Sequence, residues 1–377
     1  MKVEIQERWD EDFFDRFINF KNKIHQDIPT SFPDVIADYE KYFLPDSIFA
    51  ADFKWRAVII SNNGKTQAQA ILCFKENSEL GSLGFIDWEN DEAAAKFLIS
   101  EIEEVARSVG LKNIKTPVDL NFFVKYRIRC PGGNTPFYGE PVYPDYYHDL
   151  FKLCGYEVIG NWDSYRIEKL RGIKDYLTKR WKLGHKKNGS HHKTKNKDLK
   201  TTIRCVRLHD WENELKIIYD LFSEAYSKMP EYESVSFEQF KVIYNDFKYI
   251  INPLFAYIIE LRGKPVGFSI NFVDPLPILA KHKGKKLSMI QKALVLARLK
   301  LNNGTYLIAH VGKIPGPNGE EIKGVQIQVS NRISASVLAM RKVLVTFQNA
   351  NSPSRRSFEE KLLTPYAQYV LYGKKLE

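Results

Sequence analysis

From Ala309 to Gln326 the chain reads Ala-His-Val-Gly-Lys-Ile-Pro-Gly-Pro-Asn-Gly-Glu-Glu-Ile-Lys-Gly-Val-Gln. Gly316, Gly319 and Gly324 free the backbone for close approach to an anion, and Lys313 and Lys323 supply positive charge. A helical pattern begins near Glu320, so its first-turn N–H groups would complete a cradle of the kind that grips a diphosphate. Glu320 and Glu321 oppose an anion, and Pro-Gly-Pro-Asn-Gly also suits a plain tight turn. His310 lies on the strand entering the turn. A histidine side chain there can orient a substrate or accept a proton near neutral pH, and it can equally be a packing residue.

A second group of polar and aromatic side chains sits in a Gly/Pro-rich excursion at 122–144. Tyr126, Arg127, Tyr138 and Glu140 there suit a loop that closes over a substrate, or an ordered surface excursion. The four cysteines, Cys73, Cys130, Cys154 and Cys205, form no close pair and no His-flanked cluster. They read as free thiols in a reducing compartment, so a cytoplasmic protein with no metal site is expected.

The elements that must position these residues occur twice. The first half opens with a strand at 3–9 and a helix whose apolar face holds Phe13, Phe14, Phe17, Ile18, Phe20 and Ile24. Strands at 55–60 and 68–74 flank Asn63-Gly64, a dipeptide suited to a tight hairpin. A strand at 83–88 runs into Asn90-Asp91, which cap an amphipathic helix at 92–109 stopped by Gly110. A strand at 113–118, the excursion, a short helix at 145–153 and a hairpin at 156–168 follow.

The second half repeats the order. It has a strand at 202–208, helices at 210–229 and 236–251, and a hairpin of 255–261 and 265–273 turned at Arg262-Gly263. A strand at 305–311, a helix at 320–344, strand 344–348, helix 354–362 and strand 366–372 complete it. Gly64 and Gly263 lie 199 residues apart, Asp91 and Glu320 229, Glu168 and Tyr372 204. Two insertions explain the changing lag: the excursion in the first half, and 275–303, with a basic amphipathic helix at 285–301, in the second. One duplicated fold results.

At 377 residues the chain suits two domains, 1–170 and 201–377. Between them, 171–200 carries eleven Lys/Arg and two Asp, which accounts for +9 of the net charge of +10. It reads as a solvated linker, or as an electrostatic contact to nucleic acid with Trp181 as its stacking residue. No apolar run approaches membrane-spanning length and no signal peptide is visible, so no membrane partner is expected.

In their order and motifs these residues resemble the Gcn5-related N-acetyltransferase (GNAT) superfamily in its tandem-domain form. The resemblance rests on 84–91 and the helix after it, on Tyr126-Arg127 with 136–141, and on Cys154-Gly155-Tyr156. In the second half it rests on the hairpin 256–272 and on Asn351, Arg356 and Tyr366. It implies an α/β fold of two acyl-CoA N-acyltransferase (GNAT)-like domains in tandem, each a mixed, mostly antiparallel sheet flanked by helices.

It also implies acetyl-CoA or another acyl-CoA as cosubstrate, a splay between the fourth and fifth strands that admits it, and direct attack by a small-molecule or peptide amine. Cofactor contacts then fall to Val311, Lys313, Gly316, Gly319, Lys323, Gly324, Val325 and Asn351, with His310 and Tyr366 as catalytic candidates. The first half departs from the family pattern, because Asp87, Glu89, Asp91 and Glu92 replace the glycine-rich turn and would repel a pyrophosphate. It reads as a structural partner. The other readings are a non-catalytic binding protein of the same fold and a Fem-like transferase that draws its acyl group from aminoacyl-tRNA.

Overall fold

The computed structural model describes residues 1–132, 134–167, 201–229, 231–283, 285–301, 304–319, 342–349 and 363–376. The linker at 171–200 and the helices expected at 320–344 and 354–362 lie outside them, apart from the first strand residues of β14 defined below. The chain divides into two compact units. One is Met1–Trp162 with Leu279–Lys286 and Ala367–Glu377; the other is Asp163–Ile278 with Leu287–Tyr366.

The first unit runs β1 (Lys2–Gln6), α1 (Glu11–Ile24), α2 (Ile36–Phe43), β2 (Lys54–Asn62), β3 (Lys65–Phe74), β4 (Leu80–Trp88), α3 (Glu92–Ser108) and β5 (Asn113–Thr116). Short strands β6 (Val118–Asp119), β7 (Lys125–Tyr126) and β8 (Ile128–Arg129) occupy the excursion, before α4 (Tyr147–Leu153) and the start of β9 (Glu157–Ile167). Asn63 and Gly64 both take positive φ (50° and 76°), which matches the twist of the β2–β3 hairpin. Asp91 caps α3 by accepting from Ala93 N and Ala94 N, and the helix buries Ala94, Ala95, Leu98, Ile99 and Ile102 on the sheet.

The second unit runs β10 (Thr201–Cys205), α5 (Trp211–Tyr226), α6 (Phe237–Tyr244), α7 (Phe247–Ile250), β11 (Ala256–Leu261), β12 (Lys264–Val273), α8 (Leu276–Leu279), α9 (Met289–Leu301), β13 (Thr305–Lys313) and β14 (Lys342–Asn349). The helix expected at 236–251 is two: a Ser236–Gln239 capping box starts α6, and the chain turns before α7. Arg262 and Gly263 repeat the positive-φ turn (53° and 78°).

Each unit is an α/β sandwich on a mixed sheet. In the first the order is β1-β2-β3-β4-β5, then β15 (Leu363–Lys375). In the second it is β10-β11-β12-β13-β14, then β9. The pairs β1–β2, β2–β3, β3–β4, β5–β15, β10–β11, β11–β12 and β12–β13 are antiparallel, and β4–β5 and β13–β14 are parallel. The closing strands differ from expectation. The sequence boundaries gave 1–170 and 201–377 their own last strands, whereas packing gives Ala367–Glu377 to the first unit and the end of β9 to the second. The reason is burial. Val370, Tyr372 and Leu376 complete the first core, and Ile167 completes the second.

Tyr372 is 1% exposed, stacks on Phe151 at 5.1 Å and places its hydroxyl 2.9 Å from His148 Nδ1. Tyr372→Ala should cost about 3–5 kcal/mol in denaturant unfolding. Limited proteolysis of the variant should open new sites within 1–162 before any within 201–366. The opposite order would return the strand to the second unit.

Candidate functional site

In the second unit β12 and β13 pair Ile270 with His310 and Asn271 with Ile308, so Ala309 is an extra, bulged residue. A bulge bends its strand and sharpens the twist. On the other side of β13 the parallel register to β14 runs from Thr305↔Lys342 to Ile308↔Val345 and stops there. β13 continues to Lys313 and β14 to Asn349, with no further pairing of the two among the described residues. Thr346 Oγ1 donates to Ile308 O at 3.1 Å, at the apex where the strands part. The result is a fork between two parallel strands, immediately after a bulge.

His310 leaves the bulge toward α5, α6 and α7. It lines a small cleft of about 40 Å³, with Trp211, Phe222, Phe240, Tyr244 and Phe268 among its walls. The Phe222 ring meets the imidazole edge-on at 5.6 Å. Trp211 is 7% exposed, and its Nε1–H has no partner among the described residues, so this apolar cleft holds a buried donor. Gly312, two residues on, is required sterically, since a Cβ there would lie 2.4 Å from the Phe268 ring.

The other expected contacts fall as follows. Val311 and Lys313 are exposed on the free arm of β13, and Tyr226 OH donates to Val311 O at 3.3 Å. Gly316 and Gly319 frame a turn in which Gly319 N donates to Gly316 O at 2.8 Å. Lys323, Gly324, Val325 and Asn351 lie outside the described residues. Tyr366 is buried and accepts from Lys342 Nζ at 2.9 Å. Lys342 opens β14 opposite Thr305, the end of the strand pair away from the fork, so the structure does not bring Tyr366 to His310 by any described contact.

The first unit carries the same bulge and fills the fork. Gln69 pairs with Asp87 and Ile71 with Gly84, which leaves Phe85, at φ 47°, in the bulge region. Parallel pairing of β4 with β5 ends at Ser82↔Lys115. Beyond it β6 lies directly on β4: a Cβ on Gly84 would sit 2.1 Å from Val118 O. Asp119 Oδ1 accepts the bulge amide, Phe85 N, at 2.6 Å. Burial pushes the Asp119 carboxyl up, against the lowering effect of Lys125.

The four carboxylates at the start of α3 are engaged as well. Asp87 lies 2.6 Å from His25 Nε2 and accepts from Tyr147 OH and Gln69 Nε2. Glu89 pairs with Lys23 at 2.8 Å, and Asp91 holds the helix amides. Only Glu92 stands at the surface with a distant partner, Lys96 at 3.9 Å.

The excursion is built into the first unit. The Glu140 carboxylate is buried, 3.1 Å from Arg129 Nε, and accepts from Phe137 N at 3.1 Å and from Tyr369 OH. Arg127 donates to Tyr126 OH at 2.9 Å, and its guanidinium lies over the Tyr126 and Trp162 rings. Burial raises the Tyr138 phenol. Glu140 and Arg127 thus hold the loop in place. Sequence reading missed the aromatic cleft, although Trp211, Phe222 and Phe240 were visible at helical spacing, and it missed Asp119 altogether.

A bulged fourth strand, a parallel fifth strand that parts from it, and two helices over the sheet together define the GNAT fold. The comparisons agree. No family model matches the sequence. Protein YghO of Escherichia coli is 21% identical over 301 residues, covering 76% of this chain and 72% of its own. A conserved protein of unknown function and probable N-acyltransferase from Enterococcus faecalis is similar over 100% of this chain and 73% of its own, at 10% identity and TM-score 0.55. A GCN5-related N-acetyltransferase from Anabaena variabilis is similar over the same shares, at 10% identity and TM-score 0.52.

The plug in the first fork has a measurable cost of removal. Asp119→Ala leaves Phe85 N without its acceptor and should destabilise the protein by about 1–3 kcal/mol in urea unfolding. A change below a few tenths would mean that water replaces the carboxylate without penalty.

Proposed function

We propose that this chain is an acyl-CoA-dependent N-acyltransferase whose second unit alone takes the donor. The parting of β13 and β14 after Ile308 and Val345, with no further pairing of the two among the described residues, set against the filled fork of the first unit, carries this reading. The parting of β13 from β14 leaves a gap between two parallel strands in which an acyl-pantetheine can lie. The exposed Lys313 and the Gly316–Gly319 turn lie on the same free arm, where phosphate oxygens would be held.

Acyl-CoA supplies an activated thioester. The amine nitrogen attacks the carbonyl carbon, the C–N bond forms, the C–S bond breaks, and the thiolate leaves as CoA after gaining a proton. We assign proton acceptance from the attacking amine to His310, a reading supported by its position at the bulge beside the fork. The cleft around it is aromatic and aliphatic, with the Trp211 Nε1–H as buried donor. It therefore favours an acyl chain or amine with an apolar body and one hydrogen-bond acceptor. The first unit is a structural partner, its helix amides and bulge amide already occupied by Asp91 and Asp119.

Calorimetry with acetyl-CoA and longer acyl-CoAs should give one site per full-length chain. His310→Ala should lower kcat by roughly 10²–10⁴-fold with a small change in acyl-CoA affinity. Failure of every acyl-CoA to bind would remove the enzyme reading; two sites per chain would remove the inactive first unit.

A further inference from the structure

The helix α9 is formed but barely covered. Ser288 and Gln291 cap it reciprocally, at 2.9 and 3.3 Å, and Lys300 Nζ ties its end to Ile251 O. Its buried residues are Val295 and Leu299, one turn apart. Met289 is 82% exposed, Ile290 75%, Leu294 53% and Leu301 83%. At roughly 100° per residue these four, with Ala293 and Ala297, form one face directed away from the Val295/Leu299 seam.

Charge surrounds that face with a single sign. Residues 281–301 hold seven Lys/Arg and no acid, and the acid-free stretch extends from 275 to 319. Lys283 and Lys300 are committed to backbone carbonyls. Lys285, Lys286, Lys292 and Arg298 are exposed, with no carboxylate partner among the described residues.

An apolar face bordered by cations selects its occupant by charge complementarity. A second copy would set the same cations against one another, and an uncharged protein groove would leave them without partners. The boundary of an anionic lipid leaflet offers acyl chains to the one and headgroup phosphates to the other. We propose that α9 is a membrane-docking helix that seats Met289, Ile290, Leu294 and Leu301 in an anionic lipid surface. The attachment is peripheral, since no helix among the described residues is long and apolar enough to cross a bilayer. It replaces the expectation of no membrane partner and is independent of the acyl-transfer reading.

Flotation of the full chain with phosphatidylcholine vesicles, with and without phosphatidylglycerol, tests it. The protein should float with the anionic vesicles, less so as salt rises. Ile290→Glu/Leu294→Glu and Lys292→Glu/Arg298→Glu should each reduce the floated fraction roughly tenfold while the melting temperature holds. Wild-type protein that stays down with anionic vesicles would overturn the proposal. So would variants that float as well as wild type, which would move the contact to the basic stretch at 171–200. A concentration-dependent dimer in sedimentation, abolished by the same apolar substitutions, would assign the face to a second copy.

Discussion

A bulged strand that parts from a parallel neighbour leaves main-chain amides and carbonyls facing a gap, and those groups must find partners. This constraint organises both units. Leaving a buried N–H unpaired costs about 1–3 kcal/mol, so a fork is filled by the protein or reserved for a ligand. The first unit takes the internal route: β6 presses its backbone onto Gly84, and Asp119 accepts Phe85 N at 2.6 Å. The second unit shows the same bulge, at Ala309, and a strand pair that separates after Ile308.

Two buried histidines show how much the surroundings decide a residue's use. His25 sits against Asp87 with Tyr147 and Gln69 around the carboxylate, a saturated cluster in the first core. His148 spans Tyr372 OH and Arg129 O, each at 2.9 Å, and so joins the C-terminal strand to the excursion. Both are structural by the number of partners they hold. His310 differs in its setting, since its walls are rings and aliphatic chains on the border of the fork.

The strand order of both halves, both hairpin turns and the Asp91 cap were legible because each depends on local chemistry: positive φ at Asn63-Gly64 and Arg262-Gly263, and a carboxylate before a helical stripe. The acidic start of α3 was also legible, and Asp91 there accepts from Ala93 N and Ala94 N. What stayed hidden depends on partners distant in sequence. A closing strand with alternating burial does not say which core it completes, so the exchange of β9 and β15 between units could not be read. A one-residue bulge leaves no compositional trace, and Asp119 gains its meaning only when β6 is folded onto β4. Glu140 looked like a ligand-facing carboxylate until Arg129 and Tyr369, 229 residues away from it, were placed on either side.

Duplication makes such divergence inexpensive. An N-cap carboxylate stabilises its helix by about 1 kcal/mol and at the same moment withdraws the amides a diphosphate would need. In a single-domain enzyme that substitution is lost with the activity. Where a second copy of the fold can take the ligand, the first is free to accumulate stabilising closures. The Asp91 cap, the Asp119 plug, the His25–Asp87 pair and the Glu140–Arg129 lock are four such closures, gathered on one side of the duplication. In the second unit, by contrast, β13 and β14 part after Ile308 with no further pairing among the described residues, and under the proposed function that is where chemistry should be sought.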